Sequence, residues 1–268
     1  MRKFCFGLCT CLISLKIAIV GFPPESLVQD LTAPRNRTHF SGFSNPQTIT
    51  RANTNKKVIA LTFDDGPDPR FTPRILAILK DKDVRATFFV VGEEAYLHPE
   101  IIEQEAAQMH EIENHTYTHP NLLAKTDLTT NEEIIWCHEV IEGLTDRPPV
   151  YFRPPRKLFN HNIIALSEIY GYKTILWTVC LENSLARTPQ AMVDRVVSKC
   201  VPGAIILAHD GHLDRSMTIK ALPLLIAELK KQGYEFVTLQ ELLNKYEVFQ
   251  NISATDLLKP AVPFLPAR

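Results

Sequence analysis

Two adjacent carboxylates, Asp64 and Asp65, follow a short apolar run at residues 58–61 and precede Gly66-Pro67. Such a run is typical of a strand buried on both faces, and Gly-Pro cannot continue a strand. Neighbouring residues at a strand end point in different directions, so one carboxylate can bind a metal while the other transfers a proton. An acidic turn at the surface fits the same residues equally well, and the rest of the chain must decide between the two.

Other residues that could take part in catalysis follow later apolar runs. His115 and His119 are four positions apart, a spacing that can converge on one metal ion. Arg153 could pair with a catalytic carboxylate and keep it ionised, and His209 could act as a general acid near neutral pH. Taken one at a time, these residues fit ordinary roles equally well. His115 and His119 could be surface histidines, Arg153 could form a surface salt bridge, and His209 could be a structural residue. Together at several strand ends they are hard to explain by core packing, and they favour a metal site with positions open for water and substrate.

The elements that must position these residues alternate between strand and helix. Helix starts are expected at Thr72-Pro73 and Thr188-Pro189, and Thr130 with Glu133 predicts a capping box. The predicted strands lie at residues 58–61, 86–91, 111–113, 150–153, 173–179, 204–208 and 235–239. This α/β alternation best fits an incomplete or distorted (β/α) barrel with about seven parallel strands. A doubly wound open sheet is the alternative, and in both folds sites form at the carboxyl ends of the strands.

Four motifs, in this order, resemble those of one known family. They are TFDDGP at residues 62–67, HTYTH at 115–119, RPP at 153–155 and LAH at 207–209. Over residues 57–246 the chain resembles the polysaccharide deacetylases of carbohydrate esterase family 4 (CE4), with their nodulation-protein-B-like domain. The resemblance implies a distorted (β/α) barrel and a metal-dependent hydrolase that removes acetyl groups from glycans.

The resemblance also implies a role for each matched residue. Asp64 would be the general base that accepts a proton from water, Arg153 would orient it, and His209 would be the general acid that protonates the departing sugar amine. Three residues would bind a divalent metal, most commonly zinc, with cobalt or a similar ion as an alternative: Asp65, His115 and His119.

Three further residues would contact the substrate. Leu207 would line a pocket for the acetyl methyl group, and the backbone N–H that follows Pro155 would help to stabilise the oxyanion. Arg156, with Lys157, stands where the family usually has Tyr-Gly, and this added positive charge could favour an acidic glycan. A solvated basic loop is the alternative interpretation.

The chain departs from the family pattern at a second place. By spacing, Asn183 and Ser184 replace an Asp-Trp pair whose Asp supports the charge of the catalytic His in the family. Asn183 brings no charge, although the neighbouring Glu182 could supply it. The tuning of His209 is therefore the open question at this site.

Three functional hypotheses follow. The first is a hydrolase that removes N-acetyl, or O-acetyl, groups from a glycan such as peptidoglycan, a chitin-like oligosaccharide or acetylated xylan. The second is a non-catalytic glycan-binding member of the family. The third is a deacetylase or deformylase of a small or lipid-linked sugar amide. The base, the acid and the metal ligands are all present, which favours an enzyme.

The two ends of the chain differ from the body. Residues 1–22 resemble a secretory signal peptide or an N-terminal anchor, and residues 23–56 predict a flexible linker. Residues 57–246 would form the catalytic domain and residues 247–268 a proline-containing tail. We therefore expect a monomer that is secreted or held in the cell envelope, with N-terminal membrane association as an alternative to release. The net charge of −1 gives no case for nucleic acid binding.

Overall fold

Nine short strands form one parallel sheet in the described part of the chain, which comprises residues 48–183 and 185–246 of a computed structural model. The strands are β1 Thr48–Ile49, β2 Val58–Asp64, β3 Thr87–Val90, β4 Glu111–Asn114, β5 Tyr151–Phe152, β6 Lys173–Ile175, β7 Val179–Cys180, β8 Ile205–His209 and β9 Glu235–Val237. Their hydrogen-bonded order is β1-β6-β5-β4-β3-β2-β8-β7, and β9 pairs with the beginning of β2. All pairings between these strands are parallel.

Helices follow most of the strands. They are α1 Thr72–Asp81, α2 Gly92–Leu97, α3 Pro99–Ala107, α4 Asp127–Thr145, α5 His161–Ile169, α6 Pro189–Lys199, α7 Ser216–Lys231 and α8 Leu239–Glu241, which continues as a π-helical turn at Leu242–Tyr246. Two 3₁₀ turns lie at Leu122–Ala124 and Pro155–Lys157. None of the described helices is both long and apolar enough to cross a membrane.

The sheet curls into a distorted (β/α) barrel, as predicted, and the doubly wound alternative is wrong. β6 lies near one end of the strand order and β7 at the other end, yet only residues 176–178 separate them in the chain. Within this link, Leu176 N–H donates to Ile49 O at 2.7 Å and Thr178 N–H donates to Ile205 O at 2.8 Å. The chain thus changes partner between the two edges, which splits the single strand predicted at residues 173–179 and brings the edges together.

The predicted linker is wrong at its carboxyl end, because residues 48–56 belong to the folded domain. β1 pairs with β6, and Arg51 bridges to Ala204. Ala52 is fully buried and its N–H donates to Gly203 O at 2.9 Å. A Cβ at position 203 would meet Ala52 O at 2.2 Å, so this close approach requires glycine. The rest of the predicted linker, the leader and the tail lie outside the described residues.

Alternation along β2 separates the two sides of the barrel wall. Ile59, Leu61 and Phe63 pack in the core cluster between sheet and helices, whereas Val58 and Ala60 pack in a second cluster. Thr62 and Asp64 continue the alternation of the second set, so they face the same side. The interior of the barrel is therefore apolar near the start of β2 and polar at its carboxyl end.

One predicted helix start is wrong. α4 begins at Asp127, and its capping residue is Thr126, whose hydroxyl accepts the Thr129 N–H. The box predicted from Thr130 and Glu133 does not form, because Glu133 accepts hydrogen bonds from another loop. At α6 the predicted cap is confirmed, since Thr188 accepts the Ala191 N–H at 3.1 Å.

Candidate active site

Asp64 and His209 lie side by side at the carboxyl ends of β2 and β8. They are register partners across these neighbouring strands, so their side chains leave the same face of the sheet. Asp64 is only 3% exposed, whereas His209 is partly exposed. A buried carboxylate and an accessible imidazole at one height on one face can exchange protons with a molecule bound between them.

Arg153 fixes the Asp64 carboxylate from inside the barrel. It follows β5 directly and is fully buried, with its guanidinium carbon 3.9 Å from the ring centre of Phe89. Its Nη1 donates to Asp64 Oδ1 at 2.5 Å and to Thr62 Oγ1 at 2.9 Å. Its other nitrogens donate to the carbonyls of Ile175 and Leu176. The guanidinium therefore has little freedom to move, and it balances the charge of the buried carboxylate.

The backbone of the His115–His119 loop is held by the loop's own residues and by the neighbouring strand. His115 N–H donates to Val90 O at 3.0 Å, which extends the pairing of β3 with β4 by one residue. Thr116 and His119 both have positive φ, at 71° and 56°. The Asn114 side chain accepts the Thr116 N–H, and the Thr116 hydroxyl accepts the His119 N–H. These bonds stabilise a backbone that side chains ordinarily disfavour.

Glu133 of α4 holds the middle of the same loop. Its carboxylate accepts the N–H groups of Tyr117 and Thr118 at 3.0 and 2.7 Å, and also the Thr118 hydroxyl at 2.6 Å. The positions of His115 and His119 therefore depend on a helix as well as on the strand that precedes them.

The His115 ring is oriented by a hydrogen bond to Arg153. Its Nδ1 lies 2.6 Å from Arg153 O, and because a carbonyl can only accept, Nδ1 carries the proton. The lone pair of Nε2 is then free for a metal. Ligating histidines usually have such a partner for the second ring nitrogen.

Asp65 lies between the two histidines. Its Oδ1 is 3.2 Å from His119 Nε2 and 3.6 Å from His115 Nε2. Its φ of 77° turns it out of the strand path that Asp64 follows. Burial raises the pKa of Asp65, but hydrogen bonds to His115 and His119 and the charges of His115 and His209 lower it well below its ordinary value. Burial lowers the pKa of His119. An ionised carboxylate and neutral imidazoles are the forms that bind Zn²⁺ and similar ions, so this donor set fits a divalent metal.

Two further residues face Asp65 that the motifs did not identify. Arg215 Nη2 donates to Asp65 Oδ2 at 3.0 Å. His212, Asp65 and His119 each offer a donor atom, and these atoms lie within 4.8 Å of one another. For His212, the sequence does contain a clue, because this histidine lies three residues after His209 and in the same loop.

Glu182 supports His209. Its Oε2 lies 3.0 Å from His209 Nδ1, and its Oε1 accepts the His209 N–H at 3.1 Å and the Thr218 hydroxyl at 2.7 Å. Burial alone lowers the pKa of His209, but the hydrogen bond and charge of Glu182 raise it above its ordinary value, together with the charges of Asp64 and Asp65. The Asn183 side chain instead accepts the Leu185 N–H. The carboxylate that supports His209 is therefore Glu182, one residue before the Asn183 position that motif spacing indicated.

The expected substrate contacts fall into a buried and an exposed group. Leu207 lies two residues before His209 on β8, hence on the same face, and is buried, as is Pro155. Arg156 is exposed with a φ of 56°, and the Lys157 ammonium lies 5.6 Å from the ring centre of Trp177. The basic residues therefore form part of the exposed rim beside the buried site.

Comparison with known proteins identifies the family. Residues 51–175 match the family model described as polysaccharide deacetylase. The chain is also 38% identical over 191 residues to a peptidoglycan-N-acetylglucosamine deacetylase of Bacillus cereus, an alignment that covers 70% of this chain and 89% of that protein. This chain belongs to the polysaccharide deacetylase family.

Solved polysaccharide deacetylase structures resemble this one. The Bc1960 peptidoglycan N-acetylglucosamine deacetylase superimposes with a TM-score of 0.70 at 34% identity, covering 75% of this chain and 95% of that one. A CE4 family pseudoenzyme from Bacillus anthracis has a TM-score of 0.70 at 32% identity, covering 76% of this chain and 72% of that one. The enzyme class is therefore polysaccharide deacetylase, a hydrolase, and the family fold also occurs in a protein described as a pseudoenzyme.

Proposed function

We propose that this chain hydrolyses N-acetyl groups of peptidoglycan amino sugars and releases acetate. The observation that carries the proposal is the assembly of a complete set of groups on one rim. Asp64 is fixed by Arg153, His209 is fixed by Glu182, and a three-residue metal donor set lies beside Asp64. Together these groups can supply a general base, a general acid and a Lewis acid to one acetamide.

The metal would be held by Asp65, His115 and His119, which offer one carboxylate and two imidazoles. Zinc is the first candidate, with cobalt or a similar divalent ion as the alternative. When bound, such an ion supplies Lewis-acid polarisation of the attacking water and of the acetyl carbonyl.

Asp64 acts as the general base. Its Oδ1 is occupied by Arg153, while Oδ2 lies 3.8 Å from His115 Nε2 and so points towards the metal donors. Oδ2 is therefore the atom that accepts the proton of the attacking water as the new C–O bond forms at the acetyl carbon. Arg153 holds the carboxylate in this orientation and stays charged throughout, because guanidinium does not lose its proton in proteins.

His209 acts as the general acid. Its Nδ1 is held by Glu182, which leaves Nε2 to face the substrate. As the C–N bond breaks, the proton on Nε2 passes to the departing nitrogen, and the products are acetate and a free amino sugar. The Glu182 carboxylate favours the protonated ring that this step requires.

The choice of peptidoglycan rests on the relatives and on charge. The B. cereus relative is named a peptidoglycan-N-acetylglucosamine deacetylase. Arg156 and Lys157 add two cations to the exposed rim, which suits a glycan that carries carboxylates. If these residues recognise acid groups, replacing both with Ala should raise KM for peptidoglycan more than KM for neutral chitin oligosaccharides and leave kcat unchanged.

Acetate release from purified protein tests the proposal. Peptidoglycan, chitin oligosaccharides and acetylated xylan are incubated with the enzyme, with and without a chelator, and with Asp64→Asn as the inactive control. Release from peptidoglycan that the chelator and the control variant both abolish is expected. Glycan binding without acetate release from any substrate would instead support a non-catalytic role like that of the B. anthracis relative.

We also propose that the protein works outside the cytoplasm, at the cell wall where its substrate lies. The proposal is supported by the apolar, basic-flanked residues 1–22 and by the peptidoglycan relatives. Fractionation of cells that express the full chain should recover it in the envelope or the medium, and deleting residues 1–22 should leave it in the cytoplasm. Sedimentation of the purified protein tests the predicted monomer.

A further inference from the structure

We propose that His212 is a fourth protein ligand for the divalent ion held by Asp65, His115 and His119. The inference rests on the metal site of the proposed function and adds a residue to it. The donor atoms of His212, Asp65 and His119 lie within 4.8 Å of one another, so a small inward movement of these side chains would bring all three to the ~2.0–2.2 Å distances at which one zinc ion binds. The His119 and His212 rings meet edge to face, with centres 4.6 Å apart.

The backbone before His212 is packed directly against Asp65. A Cβ on Gly211 would lie 2.0 Å from Asp65 O and 2.5 Å from Asp65 C, so only glycine allows this contact. Asp210 N–H donates to Asp64 O at 3.1 Å, and Leu213 N–H closes a tight turn onto Gly211 O at 2.8 Å. His212 lies within this turn with a φ of 65°. The loop therefore holds His212 over the Asp65 side of the site.

Arg215 fixes the same loop to the same carboxylate. Its Nε donates to Gly211 O at 2.7 Å and its Nη2 donates to Asp65 Oδ2 at 3.0 Å. Oδ2 is thus occupied, while Oδ1 faces the histidines. One buried guanidinium sets both the orientation of the Asp65 ligand atom and the distance of His212 from it.

The exposure of the four donors differs, and this suggests how the site can remain catalytic. Asp65 and His115 are buried and the His119 side chain is only 9% exposed, whereas the His212 side chain is exposed. Four protein donors would suffice to close a tetrahedral site, whereas a catalytic site must leave a position for water or substrate. His212 is the most exposed of the four donors, so it would have the most room to give up its place to water or substrate.

Metal affinity is the direct test. The apparent Kd for Zn²⁺ is measured by competition with a chromophoric chelator for the wild type, His212→Ala and the matched control His161→Ala, which removes an exposed histidine at the start of α5. We expect His212→Ala to weaken binding by at least about 10–100-fold, the usual effect of losing even an outer-sphere partner of a metal ligand. His161→Ala should have no effect.

The visible spectrum of the Co²⁺-substituted protein gives a second readout that does not depend on activity. Loss of a nitrogen donor should change the wavelength and intensity of the d–d bands in His212→Ala but not in His161→Ala. Unchanged Kd and an unchanged Co²⁺ spectrum in His212→Ala would overturn the inference. The variant His119→Ala distinguishes failure of the fourth ligand from failure of the whole metal site. If His119→Ala loses the metal while His212→Ala keeps it with wild-type affinity and spectrum, the metal site of the proposed function stands and the fourth ligand is rejected.

Discussion

Asp64 and His209 occupy paired positions on adjacent parallel strands, one in register with the other. Adjacent strands lie about 4.8 Å apart, so the backbones that carry the proposed base and acid are one strand spacing apart. Each has its own fixed partner, Arg153 for Asp64 and Glu182 for His209. The two proposed proton transfers would therefore take place on a rigid frame whose spacing is set by the sheet rather than by loops.

The roles of the two adjacent aspartates can be separated by substitution. Asp64→Asn removes the basic oxygen but no metal donor, so we expect normal metal content and a loss of about 10²–10⁴-fold in turnover, the usual effect of a general base. Asp65→Asn should weaken metal binding, and added metal should restore part of its activity. Metal content by elemental analysis is compared with kcat. If Asp64→Asn loses the metal and Asp65→Asn keeps it, the roles are exchanged.

Removing both histidines of the loop should abolish metal binding. The double variant with His115→Ala and His119→Ala leaves Asp65 of the three buried ligands and, beside it, the exposed His212, so we expect no stoichiometric metal and no acetate release. His161→Ala is the matched control and should retain about one ion per chain. Full metal content in the double variant would mean that the ion binds elsewhere.

Glu182 should set the basic limb of the pH–rate profile. Proton transfer to the departing amine needs protonated His209, so the rate falls as pH rises through the pKa of His209. Glu182 raises that pKa, and Glu182→Gln should lower it, so the basic limb should move to lower pH. Asn183→Asp is the matched control, because the Asn183 side chain contacts the Leu185 N–H rather than His209. An unmoved basic limb in Glu182→Gln would exclude this role for the carboxylate.

Glu133 should contribute to metal affinity without touching the metal. Glu133→Gln weakens the hold on Tyr117 and Thr118 and leaves polar groups imperfectly paired, at an expected cost of about 1–3 kcal/mol in the free energy of unfolding. A larger Kd for Zn²⁺ should accompany it, since His119 adjoins this part of the loop. Glu132→Gln, the neighbour on α4, is the control. Urea unfolding and chelator competition measure the two effects, and equal values for both variants would contradict the prediction.

The sequence predicts best where a short motif follows a strand. Asp64, His115, Arg153 and His209 each come directly at the end of a strand, and parallel strands bring their carboxyl ends to one rim. The two-residue strand β1 is too short to show periodicity, so its segment resembled a linker. It became a strand only because β6 offers it a partner.

After β7, motif spacing alone does not identify the residue that supports His209. It placed the supporting group at Asn183, but the path of the chain beyond β7 directs Glu182 to His209 instead. His212 was missed for a related reason, since its location follows from a turn with positive φ and from the contact of Gly211 with Asp65. Glu113, which no motif singled out, accepts the N–H groups of Val150 and Tyr151 and so joins β4 to the start of β5.

The contact between Arg215 and Asp65 joins positions 150 residues apart, and the donors beside it come from loops that follow three different strands. An ion bound by these donors would tie those loops together only in the folded chain, so it would act as a stabilising ligand as well as a cofactor. At a free metal concentration 100 times Kd, this linkage is worth about 2.7 kcal/mol. For a domain of this size, removing the ion would lower Tm by roughly 5–10 °C. Scarcity of metal would then shorten the lifetime of the enzyme in addition to silencing it.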